Sequence, residues 1–487
     1  MSTVAPWQLR ARFAESLSEL YGREVPAYTT LVEVSHAVNR DVAAALGGGA
    51  ERLGSLARVT AERHGAIRVG TPQEMAQVAR VFGAMGMYPT GFYDLRDTSA
   101  SSVPVVSTAF RPVDPTELAR SPFRVFTSVL AVTDRRYFSA DLSARLQTFL
   151  AGRELFAPRL LELADRASDH GELSQDDAQE FLRLATGSFA LSNQPVDRAW
   201  YAELEAVSAV AADIGGVRST HINHLTPRVL DIDALYWRMR DRGISMIDKI
   251  QGPPTWPGPD VLLRQTSFRA LAEPRRFREP DGSVVTDSLR VRFGEVEARG
   301  VALTPAGRAR YDAATAQLDA SGEPADANPA AVWAQHFPAT EMELFAQGLG
   351  VYEVTANLHR PRDGQAPEGP ISDLLASGWL VPTPVVYEDF LPRSAAGIFQ
   401  SNLTNQGRKD SSRDGADLDS HWLADVLQVP LHDPDQLYAQ QRDSSITTAL
   451  TQLGHERGGA PSAARAPDLN RQPMFTSTTA TVPGSQP

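Results

Sequence analysis

Two short stretches of this chain share one layout. "HGAIRVG", beginning at His64, and "HLTPRVLD", beginning at His224, each place a histidine four residues before an arginine in a strand-like run. Alternate side chains of a strand share a face, so His64 points with Arg68 and His224 points with Arg228. Each run leads into a helix-like segment that ends near glycine, "FGAMGM" in one case and "RDRGI" in the other. The repeat is therefore a β-α unit used twice, about 160 residues apart. Two such units can set two imidazoles around a common point; the alternative is that each is a hydrogen-bonded core histidine.

Around these units the 487 residues divide by pattern. Residues 1–58 read as an N-terminal helical segment, with Leu9, Phe13, Leu17 and Leu20 three or four apart. Residues 59–320 read as the β-α core, interrupted by a helical insertion at about 135–210. Within the core, Thr71 before Pro72 is the expected cap of a helix, and "GFYDL", "VPVVSTAF", "VLLRQTSFRAL" and "DSLRVRFGEVEARGVAL" look like strands. "DASGEPADANPAA" reads as a linker, residues 331–455 as a mixed C-terminal region, and residues 456–487 as a compositionally disordered tail. The class expected is α+β.

Composition removes several kinds of function. A net charge of −12, with no dense run of Lys or Arg, argues against a nucleic-acid partner. The absence of cysteine excludes disulfides, thiol nucleophiles, thiolate zinc sites and iron–sulfur clusters, so any metal must be held by His, Asp and Glu. No stretch approaches the ~20 apolar residues of a membrane span, and the N-terminus lacks a signal-peptide pattern. No membrane partner and a cytoplasmic location are expected. "GGG" at Gly47 to Gly49 lacks the spacing of a phosphate loop and reads as a turn; Trp200, Trp237 and Trp256 read as core or pocket wall.

A metal on His64 and His224 needs a third ligand, and "FGEVEARG" offers Glu295 and Glu297 on one strand face. Charge on a buried strand is costly unless it is paired or bound to a cation. Either the glutamates bind metal, or they pair with Arg292 or Arg299. Two histidines and one carboxylate match the facial arrangement of non-haem Fe(II) oxygenases and also that of hydrolytic zinc sites.

Longer motifs carry a family resemblance. "ERHGAIRVGT", "STAFRP", "SPFRVFTS", "HINHLTPRVLDID", "LLRQTSF", "RFGEVEARGVALTP" and "YEDFLPRSAAGIFQSNL", spread from about residue 10 to 440, resemble the 2-oxoadipate dioxygenase/decarboxylases, or 2-hydroxyglutarate synthases, a divergent branch of the vicinal oxygen chelate superfamily. The resemblance implies paired βαβββ modules forming a half-open barrel around one metal, with large helical insertions. It implies conversion of 2-oxoadipate and O2 to 2-hydroxyglutarate and CO2, a late step of lysine breakdown. It also implies Fe(II) as cofactor, held by the catalytic residues His64, His224 and Glu295, with Glu297 beside them in a supporting or ion-pairing role.

His221, three residues before His224, is the alternative ligand. Arg68 matches the family's substrate-binding arginine, with His64 and Arg393 also at the substrate. Where the family pattern has valine, this chain has Arg393 in "FLPRSAAGIF", a cation that would strengthen a dicarboxylate site or change which acid fits. "YEDFLP" implies that residues 331–455 close the pocket. The implied partners are a small 2-oxo dicarboxylate and O2. Two other readings stand beside this one: a lyase, isomerase or hydrolase using Zn, Mn or Ni on the same scaffold, and a non-catalytic metabolite-binding protein. Oligomeric state is not legible in the sequence.

Overall fold

The computed structural model describes residues 2–97, 103–289, 292–320, 328–361, 367–391 and 409–454. Arg393, the tail and most of the linker lie outside the described residues.

The strand Arg63–Val69 leads into the helix Pro72–Gly83, then the strands Tyr88–Asp94, Val105–Arg111 and Phe123–Leu130. This is one βαβββ unit. Its strands form a sheet in the order Tyr88–Asp94, Val105–Arg111, Phe123–Leu130, Arg63–Val69, with His224–Pro227 added as the fifth strand. Arg63–Val69 runs parallel to Phe123–Leu130 and antiparallel to His224–Pro227. The helix begins where the sequence suggests: Thr71 accepts from the Glu74 amide, and Glu74 reaches back in a capping box. "SPFRVFTSVL" was not read as a strand beforehand, yet it lies beside the His64 strand at the middle of the sheet.

The sheet is buried on both sides, and its two faces differ in chemistry. Ile67, Val69, Val106, Phe110, Val125, Val129 and Leu225 face a cluster that includes Leu9, Phe13 and Leu17 of the helix Pro6–Glu24 and Val78 and Phe82 of Pro72–Gly83. The opposite face carries His64, Arg68, Ser107, Arg111, Arg124, Ser128, His224 and Thr226, all buried. Burying a row of charged groups costs free energy unless each finds a partner, so this face is where chemistry is expected.

The second unit follows the same plan less regularly. His224–Pro227 leads into the helix Ile232–Asp241, and the strands Leu263–Ser267 and Glu295–Arg299 pair antiparallel. They join the main sheet through a parallel bridge between Arg228 and Glu297, with the Val229 amide donating to the Glu297 carbonyl at 2.8 Å. The intervening hairpin, Glu273–Arg278 with Val284–Leu289, pairs instead with Val196–Asp197. The helical region supplies Ala140–Ala151, Pro158–His170, Gln175–Ser188, Arg198–Glu205 and Ala209–Gly215.

Residues 385–391 return against the Glu295 strand, the Tyr387 amide donating to the Gly300 carbonyl at 2.9 Å, and bury Glu388, Asp389 and Phe390. Gly47–Glu51 forms one 3-10 turn. Trp237 departs from expectation: it is 58% exposed and lies over Arg240, not in a core. Among the described residues no helix is long and apolar enough to cross a membrane.

Candidate metal centre

Register brings the two histidines together. His64 is opposite Thr226 and Ala66 is opposite His224, so both imidazoles leave the same face of adjacent strands, two residues apart along the ladder. Their ring centroids are 5.5 Å apart and the rings are perpendicular. Glu295, at the start of its strand, completes the group. One ligand atom from each of His64, His224 and Glu295 lies within 4.8 Å of the others, and all three residues are buried. His224 Nδ1 is 3.3 Å from Glu295 Oε2, and His64 Nε2 is 4.0 Å from the same oxygen. Phe390 packs edge-on against His64 and Phe293 stacks on His224, so apolar rings wall both imidazoles.

Protonation suits a cation. Burial holds the His64 and His224 imidazoles below their ordinary range, His224 well below it, which leaves neutral rings with a lone pair to donate. Burial, reinforced by Glu297, pushes the Glu295 carboxyl well above the usual carboxylate range. A divalent ion between these groups would supply the missing positive charge and keep Glu295 ionised. With two nitrogens, one carboxylate oxygen and no thiolate, the donor set fits such an ion.

Glu297 has a different role from Glu295. Its Oε1 lies 3.1 Å from His64 Nδ1, and Arg299 holds its carboxylate in a fork at 2.6 and 3.0 Å. Burial would raise its pKa, but Arg299, then His64 and Arg124, bring it down to about 2. Arg292, the other partner weighed from the sequence, pairs with Glu273 and Glu24 instead.

Behind Glu297 the charges continue. Glu62 accepts from Arg124 at 2.7 Å and Arg228 at 2.9 Å, while Glu388 takes hydrogen bonds from Arg58 and Arg124. Arg228 is thus committed to Glu62 and to the carbonyls of Leu53 and Arg299. The expectation that it matches Arg68 in facing a common open surface is not met.

Arg68 points to the other side of the triad. Its Nη1 donates to Asp213 Oδ2 at 2.5 Å, and Asn223 Nδ2 donates to the same oxygen at 2.9 Å. His221 Nε2 lies 3.4 Å from Asp213 Oδ1, so this histidine sits with Asp213 and outside the group of residues that could hold a metal. Asp213 was missed in the sequence. Its signal was a lone carboxylate in "AVAADIG", a helix otherwise made of Ala, Val, Ile and Gly. Arg111 was missed too; it grips Asp389 at 2.7 and 3.1 Å, and Asp389 and Phe390 line a cavity of about 460 Å³.

The sequence model of the 2-oxoadipate dioxygenase/decarboxylase family matches residues 13–402 of this chain. The chain belongs to that family. A 2-oxoadipate dioxygenase/decarboxylase of Mycobacterium tuberculosis is 59% identical over 431 residues, which is 88% of this chain and 95% of the relative. The 2-oxoadipate dioxygenase/decarboxylase of Pseudomonas putida is 39% identical over 467 residues, 92% of this chain and 98% of that one. A crystal structure of the hydroxyglutarate synthase from Pseudomonas putida in complex with 2-oxoadipate superposes with a TM-score of 0.79 at 38% identity, covering 93% of this chain and 100% of that chain. In this member of the family, then, three residues singled out from sequence meet at one point, Arg68 lies on the same sheet face, and Arg393 falls outside the described residues.

Proposed function

We propose that this chain converts 2-oxoadipate and O2 to 2-hydroxyglutarate and CO2, with Fe(II) held by His64, His224 and Glu295. The observation that carries the reading is the buried triad, whose ligand atoms lie within 4.8 Å of one another on an otherwise paired polar face. The two β-α units joined at the Arg228–Glu297 bridge are read as the half-open barrel around that metal, and residues 331–455, which include Phe390, as the part that closes the pocket.

A bound ferrous ion supplies the redox chemistry by which O2 reacts with a 2-oxo acid. The overall reaction balances without a further reductant. One oxygen atom enters the new carboxylate, the other the new hydroxyl, and C1 of the substrate leaves as CO2. Around it the chain's residues have separable tasks. Glu297 faces Nδ1 of His64 at 3.1 Å and favours the proton there, which leaves Nε2 toward the metal. Arg68 binds a substrate carboxylate as a charge-assisted fork, with Asp213 fixing the guanidinium from the other side. Phe390, Phe126 and Phe293 keep water from the histidines and raise the worth of each charge–charge contact. We place the reaction in the cytoplasm and, following the resemblance, late in lysine breakdown.

The test is anaerobic Fe(II) reconstitution followed by O2 uptake with a panel of 2-oxo dicarboxylates. The expected result is uptake with 2-oxoadipate, equimolar release of CO2 and formation of 2-hydroxyglutarate. Turnover of 2-oxoadipate without O2, or by the Zn, Mn or Ni form at the same rate, would establish a lyase, isomerase or hydrolase instead. Binding without turnover in the iron form would establish a metabolite-binding protein.

A further inference from the structure

A cavity of about 560 Å³ lies between the helical region and the hairpin Glu273–Arg278/Val284–Leu289. Its lining includes Arg218, Arg275 and Arg278 and one carboxylate, Asp197, which caps the helix Arg198–Glu205 by accepting from the Trp200 amide, but none of His64, His224, Glu295 or Arg68. Phe149 and Trp200 give it an aromatic wall. In size it falls within the ~300–1,000 Å³ of small-molecule sites.

The three arginines stand together at one opening. Acidic residues outnumber basic ones by 59 to 47, and the arginines of the metal-centre face are taken up by carboxylates. Among the described residues, no carboxylate comes within ion-pairing distance of Arg218, Arg275 or Arg278. Arg275 is the informative one. It is 6% exposed, donates to a single carbonyl, that of Ser192, at 2.5 Å, and its Nε has no hydrogen-bond partner. Arg63, also buried, donates to two carbonyls at 2.8 Å. Burial lowers the pKa of Arg275, with Asp213 and Glu273 near enough to oppose that without pairing. Arg218 and Arg278 are exposed at the rim, Arg218 lying over the Phe149 ring. A buried guanidinium without a counter-ion is costly, and two more unpaired cations at one opening deepen the positive potential there.

We propose that this cavity is a second ligand site, separate from the metal centre, that takes a small oxyanion, a carboxylate or a phosphate, on Arg218, Arg275 and Arg278. The anion supplies the charge that the protein withholds from these three side chains, and the aromatic wall accommodates the apolar part of an organic ligand.

The experiment is equilibrium dialysis of the metal-free full-length protein with labelled glutarate and, separately, labelled inorganic phosphate, at low ionic strength in a buffer free of oxyanions. At least one of the two should bind. The Arg218→Ala/Arg278→Ala protein should bind it at least about tenfold more weakly, the loss of one charged hydrogen bond or more. Both positions are exposed, so the fold is retained, which circular dichroism checks; Arg275→Gln should abolish binding altogether. Glutarate alone identifies a carboxylate site, phosphate alone a phosphate site, and both an unselective oxyanion site. Binding of neither ligand overturns the proposal. So does parent affinity in the double variant, because glutarate held at Arg68 would survive those substitutions.

Discussion

The Glu297 carboxylate lies 3.1 Å from Nδ1 of His64, while Arg299 holds it from behind with two hydrogen bonds. An imidazole that gives its Nδ1 proton to a carboxylate has its orientation set and its Nε2 left as the donor to a metal. Such supporting groups typically contribute ~10–100-fold in metal affinity. We predict that Glu297→Gln, which keeps the volume and removes the charge, weakens Fe(II) or Zn(II) binding by about that factor in a chelator competition. Unchanged affinity would mean that His64 is oriented by packing against Phe390 alone.

The two neighbouring histidines should separate cleanly. His224→Ala removes a proposed ligand and is expected to abolish stoichiometric metal binding. His221→Ala is expected to retain the metal, because that ring lies against Asp213. Metal content by atomic absorption decides the matter. Loss of metal in His221→Ala, with retention in His224→Ala, would shift the ligand assignment by three residues.

What could be read in advance depended on how local the physics was. The shared face of His64 and Arg68 follows from strand alternation, and the Thr71 cap from three adjacent residues; both are present in the structure. Choosing between Glu295 and Glu297 was harder, because both share a face and only the partner strands distinguish them. His224 stands near one and Arg299 and His64 near the other. Asp213 could not be assigned to Arg68 at all. The two lie 145 residues apart, and their pairing depends on how the helical region folds over the sheet. Arg228 shows the opposite limit. It repeats the spacing of Arg68, yet the chain leaves the strand after Pro227 and its guanidinium reaches Glu62.

Buried neutral histidines make stability depend on pH. Burial lowers the His221 pKa from 6.5 to about 4, Asp213 opposing and Arg275, Arg292 and Arg68 adding to the fall. Between those values the unfolded chain binds a proton that the folded chain does not. The contribution is therefore complete above about 6.5 and is lost as pH falls toward about 4. His64 and His224 act in the same direction in metal-free protein. Glu295, whose carboxyl burial raises, acts in the opposite direction, so the test is the difference between two proteins. We predict that the change in unfolding free energy of the metal-free protein between about pH 7 and pH 5, measured in urea, is shifted by ~2 kcal/mol toward greater stability at pH 5 in His221→Gln. An equal change in both proteins would show that His221 is already protonated in the native state.

The proposed role of Arg68 in substrate choice is tested together with Asp213, its partner. A dicarboxylate presents a charge that needs a cation in a pocket walled by Phe390 and Phe293, and losing one partner of such a buried pair typically costs ~2–5 kcal/mol. Arg68→Ala should lower kcat/KM for 2-oxoadipate by at least about a hundredfold at normal iron content, the mark of lost positioning. The same substitution leaves Asp213 buried without its arginine, at a cost of ~3–5 kcal/mol, so a fall in activity could be confused with a fall in stability. Two further proteins separate them. Arg68→Ala/Asp213→Ala should melt above Arg68→Ala, having no stranded carboxylate, and yet remain as inactive. Asp213→Asn keeps the guanidinium but loosens its aim, and should raise KM about tenfold, ~1.4 kcal/mol, with kcat near the parent value. Arg393→Val should have a smaller effect than Arg68→Ala and shift the preference among oxo acids of different length. Steady-state O2 uptake on iron-quantified proteins, with 2-oxo acids bearing or lacking the distal carboxylate, measures all of these. If Arg68→Ala turns over 2-oxoadipate at the parent rate, or the parent uses a monocarboxylic 2-oxo acid equally well, Arg68 does not clamp the substrate and dicarboxylate selectivity must come from elsewhere on the sheet face.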